Sequence, residues 1–121
     1  METIKASELR IANWILFNQE SYQIAIIYNN DRIGIKRKNG SIFYLKTSQV
    51  LPVQLTKDVL LKCGFIKHDI IYTFNGYAYF YGNISILQKD KNAHIAANIL
   101  YLHELQNVFH SIDKLELEFK Q

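Results

Sequence analysis

Little in this chain can support redox or thiol chemistry, for among 121 residues there is one cysteine, Cys63. A lone thiol excludes an internal disulfide framework and a cysteine-built zinc site, and it fits a reducing compartment. Proline is almost absent, with Pro52 alone, and there are only five glycines. No stretch therefore reads as a flexible linker or a low-complexity tract. No apolar run approaches the ~20 residues that span a bilayer. Nor does an early basic region lead into a signal-like apolar stretch. These absences predict a cytoplasmic chain that makes no use of a membrane. At this length a single domain, 1–121, with one modest core is expected.

What the chain has is aromatic residues and an uneven charge. Eight Tyr, seven Phe and one Trp make an aromatic-rich core available. The net charge is only +3, yet from Arg32 to Lys67 eight basic residues face Asp58 alone. A basic middle of this kind suits an anionic partner, RNA or DNA through segment 32–67, and it also serves as an ordinary solvated surface.

The hydrophobic pattern predicts an α+β fold, mostly antiparallel sheet with two short helices. Residues 1–7 read as a frayed lead-in. Strands are expected at 9–17, 22–28, 32–37 and 41–46, with Asn39-Gly40 turning the last pair. Four short strands with tight turns suggest an SH3-like curled N-terminal part. A helix at about 56–63 follows, N-capped by Thr56, with Gly64 at its left-handed exit and Phe65 packing back. A meander at 70–74, 77–81 and 84–88 turns at Asn75-Gly76 and Gly82-Asn83. Another strand is expected at 93–99, after a polar turn at 89–92. Leu102, Leu105, Phe109 and Ile112 then recur at helical spacing, predicting a helix at about 101–111. Asp113-Lys114 turns the chain into a half-exposed last strand through Leu115, Leu117 and Phe119.

Three segments carry a resemblance: LRIANWILF from Leu9, LPVQLTKDVLLKCGF from Leu51, and YLHELQNVFHSIDKLELEF from Tyr101. In order and spacing they resemble LRIGNWV, PIPLTEEWLLKFGF and YVHQLQNLYFALTGEELEI of a family of small proteins carried by Bacteroidetes phages and prophages. The resemblance implies a phage or prophage origin, a bacterial host and an accessory role; that family has no assigned activity. Ala12 stands where the family has glycine, so the first strand is expected to lack a close turn or bulge. Cys63 replaces a bulky aromatic, and Ser111–Lys114 replaces a Thr-Gly turn.

No motif carries catalysis. His103-Glu104 looks like half of a zinc-protease helix, but Asn107 sits where the second histidine belongs. His103, Gln106, Asn107 and His110 form a polar stripe that reads as the solvated side of the last helix. Cys63 lies on an apolar helix face near its C-terminus, where a thiolate is disfavoured. No glycine-rich phosphate loop or paired-carboxylate site stands out, and no cofactor or metal is called for. Two binding candidates remain. One is the basic hairpin of Lys36, Arg37 and Lys38 with Arg32 and Lys46 on its flanks, suited to phosphates. The other is the tyrosine face Tyr77, Tyr79 and Tyr81, a stacking or protein-binding patch if exposed and core if not. The leading expectation is a non-enzymatic accessory protein that binds a host protein or ribonucleoprotein, as an anti-CRISPR-type inhibitor would. The alternatives are a nucleic-acid-binding module using the basic hairpin, and a structural or oligomerising phage protein; the oligomeric state stays open.

Overall fold

In a computed structural model the chain forms two compact units, Met1–Val53 and Gln54–Gln121. The structure describes residues 4, 8–80, 86–89, 93–96 and 98–120. The expected turn at Gly82-Asn83, residues 90–92 of the turn expected at 89–92, and Tyr81 lie outside these described residues; Lys89 ends a strand. The fold is α+β, built of two antiparallel sheets and two short helices.

The first unit holds five strands: β1 (Trp14–Phe17), β2 (Glu20–Asn29), β3 (Arg32–Lys36), β4 (Ile42–Lys46) and β5 (Leu51–Pro52). Their order is β4-β3-β2-β1-β5, with one 3-10 turn, Thr47–Gln49, between β4 and β5. This is the connectivity of an SH3-like curl. The ten-residue β2 makes the curl. Its first half, Glu20–Gln23, pairs with β1, and its second half, from Ile24, pairs with β3. The register shifts between Ile24 and Ile26 and again between Ile27 and Asn29. Each shift inserts an unpaired residue that bends the strand. The core collects Ile15, Ile24, Ile33, Ile35, Leu45 and Val50. Ile4 and Leu9 join it, so the lead-in expected to fray is anchored at Ile4.

The first strand is shorter than the sequence suggests, because a turn precedes it. Asn13 N–H donates to Arg10 O at 3.0 Å, and Ala12 takes φ +79°. That φ at the third residue is the geometry of a type II turn, which favours glycine. The close turn is thus present although alanine occupies it, contrary to expectation. Buried Asn13 holds it: its Oδ1 accepts the Arg10 N–H at 2.7 Å. The next turn is tighter than expected. Asn18 and Gln19, both at positive φ, join Phe17 directly to Glu20, as two-residue hairpin loops do.

The second unit begins with α1 (Lys57–Lys62). Thr56 caps it, its hydroxyl accepting the Val59 N–H at 3.2 Å. The exit is a Schellman motif: Gly64 at φ +94° donates to Leu61 O, and Phe65 N–H reaches Leu60 O at 3.1 Å. A meander follows as β6 (Ile66–His68), β7 (Ile71–Phe74), β8 (Tyr77–Phe80), β9 (Ile86–Lys89) and β10 (Ala93–Ala96), paired in sequence order. The sequence gives no sign of β6, whose three residues are all exposed. Finally α2 (Leu102–Asp113) runs two residues past its expected end, to a left-handed Lys114. Glu104 opens it by accepting the Leu100 and Tyr101 N–H groups, both at 3.0 Å.

An aromatic cluster locks α2 to this sheet. The Phe109 ring stacks on Tyr77 at 4.2 Å and meets Phe74 and Phe65 at about 6 Å. Residues 115–120 form no strand. Leu117 is buried while Glu116 and Glu118 are exposed, as alternation predicts. The tail, however, lies along α1, where Lys120 N–H donates to Lys62 O at 2.9 Å.

Candidate functional site

The structure sorts the expected basic residues by strand parity. Along β3, Ile33 and Ile35 point into the core, so Arg32, Gly34 and Lys36 take the outer face. On β4 the buried residue is Leu45, which puts Ile42, Tyr44 and Lys46 outside. In register, Arg32 lies opposite Lys46, Gly34 opposite Tyr44, and Lys36 opposite Ile42. Three of the five cations therefore share one sheet face.

Arg37 does not join them. Its guanidinium sits over the Phe43 ring, 4.1 Å from the centroid, a cation–π contact on the core-side parity of the same sheet. Near it the Tyr22 hydroxyl donates to Glu20 at 2.8 Å. That hydrogen bond to a carboxylate, then burial and the Glu20 charge, raise the tyrosine's pKa against the opposing pull of Arg37. Lys38 is exposed in the loop at the hairpin tip. Here Arg37 N–H donates to Ser41 O and Gly40, at φ +89°, closes a three-residue loop. This is a type I turn with a glycine bulge.

What the sequence did not reveal is that this basic face is also aromatic. Tyr28, 68% exposed, and Tyr44, 53% exposed, stand side by side with ring centroids 6.3 Å apart and planes at 75°. Beneath the Tyr44 ring lies Gly34, in mid-strand as the expected strand at 32–37 implies. A Cβ there would come within 2.9 Å of Ile42 Cγ2 and 3.4 Å of both Ile26 Cβ and Tyr44 Cε1. Ile26, Ile42 and the Tyr44 ring thus close over a backbone that has no side chain, as aromatic residues do over sheet glycines. The face is a floor of Ile26, Gly34 and Ile42, a corner of two tyrosines, and a border of Arg32, Lys46 and Lys36. The carboxylate nearest in sequence is Asp31, exposed in the β2–β3 turn.

The tyrosines expected to offer a stacking patch are elsewhere. Tyr77 and Tyr79 are each 1% exposed, and their hydroxyls are engaged. Tyr77 donates to Asp113, and Tyr79 donates to Ile99 O at 2.6 Å. They are core of the second unit, because Ala78 and Phe80, not they, take the outer face of β8. Tyr81 lies outside the described residues. The polar stripe of α2 is likewise corrected: His103 and Gln106 are buried, at 2% and 0%, while Asn107 and His110 are half-buried. Cys63 is buried, and burial pushes its thiol up to about 12, which makes it inert as a nucleophile at neutral pH.

Among the described residues no group of three or more His, Cys, Asp or Glu is placed to hold a metal ion. No helix among them is long and apolar enough to cross a membrane. The outer face of β6–β8 forms an open apolar groove with Ile66, Ile71, Thr73, Ala78 and Phe80. Compared with known proteins, the chain matches no family model, no curated protein and no solved structure.

Proposed function

We propose that this chain is a non-enzymatic binding module and that the outer face of β2–β3–β4 engages nucleic acid. The observation that carries this reading is the coincidence on one face of Arg32, Lys36 and Lys46 with exposed Tyr28 and Tyr44. Cations bind phosphates without regard to sequence, and exposed rings offer surfaces on which bases stack. Neither feature serves the core, which is filled from the opposite side of the sheet. The phage resemblance gives this activity a setting: an accessory protein of a bacterial virus that acts on host RNA, DNA or a ribonucleoprotein, including a CRISPR effector.

A second reading, a protein-directed inhibitor, is favoured by the apolar groove with Ile66, Ile71 and Phe80 on the second unit. Tagged co-purification from a Bacteroidetes lysate, with and without nuclease, separates the two. Under the nucleic-acid reading, retained partners are lost on nuclease treatment and on replacing Lys36 and Lys46 by glutamine. A discrete host protein that survives both treatments replaces it with the protein-directed reading.

A further inference from the structure

We infer that Tyr28 and Tyr44 form a corner that seats one unpaired base of a single strand, while Arg32, Lys46 and Lys36 hold the phosphates on either side. This rests on the nucleic-acid reading above and narrows it to a strand type and a mode of contact.

The argument starts from the two rings. Their planes stand at 75° with centroids 6.3 Å apart, so they cannot both lie parallel to the same base. A base stacked on one ring meets the edge or face of the other, as in a corner. Two walls and a floor of Ile26 and Ile42 enclose one flat apolar ring. A duplex keeps its bases stacked and presents phosphates and groove edges; it would leave both tyrosines without use.

Charge selects the ligand's sign. A corner of two aromatic rings also suits a quaternary or methylated ammonium. Here the corner is bordered by three cations, Arg32 facing Lys46 across the ladder on one side of the Gly34–Tyr44 row and Lys36 on the other. A cationic ligand would be repelled and an anionic strand drawn in. The cations also set a length. From Arg32 to Lys36 is four residues of β3, about 13 Å at ~3.3 Å each. That is roughly four nucleotide steps at ~3.4 Å each. The paired cations sit at one end of this span and Lys36 at the other, with the row of Gly34 and Tyr44 between them. A strand running along β3 thus places phosphates at both ends and a base in the middle. Stacking on an apolar corner reads no base edge, so the site is sequence-tolerant.

The test is fluorescence anisotropy of the full chain with labelled oligo(U), oligo(dT) and a blunt duplex of equal length, over a range of salt. The expected result is preference for the single strands and a slope of log K against log salt of about −2, from ~0.7 per phosphate contact. Lys36→Gln and Lys46→Gln should each flatten that slope by about 0.7. Tyr28→Ala and Tyr44→Ala should each weaken single-strand binding by roughly 5- to 100-fold, with Tyr44→Phe close to wild type. Because Tyr44 covers Gly34, thermal melting is read alongside, and Tyr44→Leu supplies an apolar cover without an aromatic ring. Equal binding of duplex and single strand, with the tyrosine variants unchanged, overturns the corner and leaves the phosphate face standing. No binding of any polymer overturns both.

Discussion

At the scale of single residues, the chain places non-glycine residues where the backbone favours glycine. Ala12 adopts φ +79° because the turn is held from several sides. Its N–H donates to Ile24 O at 2.8 Å, and the Gln23 amide returns to its carbonyl at 3.1 Å. A left-handed conformation costs an L-residue roughly 1–2 kcal/mol, and glycine lowers this at a smaller entropic cost of roughly 0.4–1 kcal/mol in the unfolded chain. Ala12→Gly is therefore expected to stabilise the protein by roughly 0.5–1 kcal/mol, measured by urea unfolding followed through Trp14. An unchanged or lowered midpoint would mean that the turn is not strained. Cys63 gives a second prediction. Its thiol, near 9 when exposed, is held at about 12 by burial, so between these values the unfolded chain loses a proton that the folded chain keeps. Stability is then fully present below pH 9 and falls as pH rises toward 12. Cys63→Ala should show a shallower decline of the unfolding midpoint over that window; parallel curves would show that the thiol is not desolvated.

At the scale of elements, local chemistry decides most boundaries. The exit of α1 depends on Gly64, whose φ of +94° disfavours any side chain and whose Cβ would press on Phe74 Cε1 at 3.3 Å. Gly64→Ala should cost about 1–2 kcal/mol for the backbone alone, with more from displacing Phe74 out of its stack on Phe65 and Phe109. Thermal melting against Gly40→Ala separates the two terms, since a Cβ at Gly40 meets nothing within 4 Å. A Gly64→Ala loss no greater than that of Gly40→Ala would remove the packing term. Such caps and glycine turns were legible in the sequence, because Thr56, Gly64 and Asn75-Gly76 act on the backbone beside them. The turn at Ala12 was not, since hydrogen bonds to Ile24 and from Gln23 override residue preference there. The outward face of β2 was also hidden. Ile24, Ile26, Ile27 and Tyr28 are all apolar, and the two bulges reset the parity, so Ile24 points in and Ile26 and Tyr28 point out. The candidate site suffered most from this: its cations were named from charge, but the tyrosines that share their face were not. The sequence pointed instead to Tyr77 and Tyr79, whose alternation is equally regular and which are core. The polar stripe of α2 misled for a related reason. Periodicity finds the apolar side of a helix, and it does not say that His103 and Gln106 opposite are solvated.

At the scale of the whole molecule, the net charge belongs to one unit. Residues 1–53 carry seven basic and four acidic side chains, whereas residues 54–121 carry seven of each. The basic middle of the sequence is thereby divided: Arg32, Lys36 and Lys46 lie on the tyrosine face, while Lys57, Lys62 and Lys67 belong to the second unit. There Lys62 pairs with Asp58 at 3.1 Å within α1. Two variants can remove the same charge from different places. Replacing Arg32, Lys36 and Lys46 by glutamine, or Lys57, Lys62 and Lys67 by glutamine, takes the chain from +3 to neutral in either case. If polyanion binding followed net charge, both would leave a heparin column at the same reduced salt. A binding face instead concentrates its contacts, each with its own counterion release. The first variant is therefore expected to elute at much lower salt than the parent, and the second close to the parent. Equal elution of the two would show that attraction is spread over the whole surface, and the β2–β3–β4 face would lose its claim to be a site.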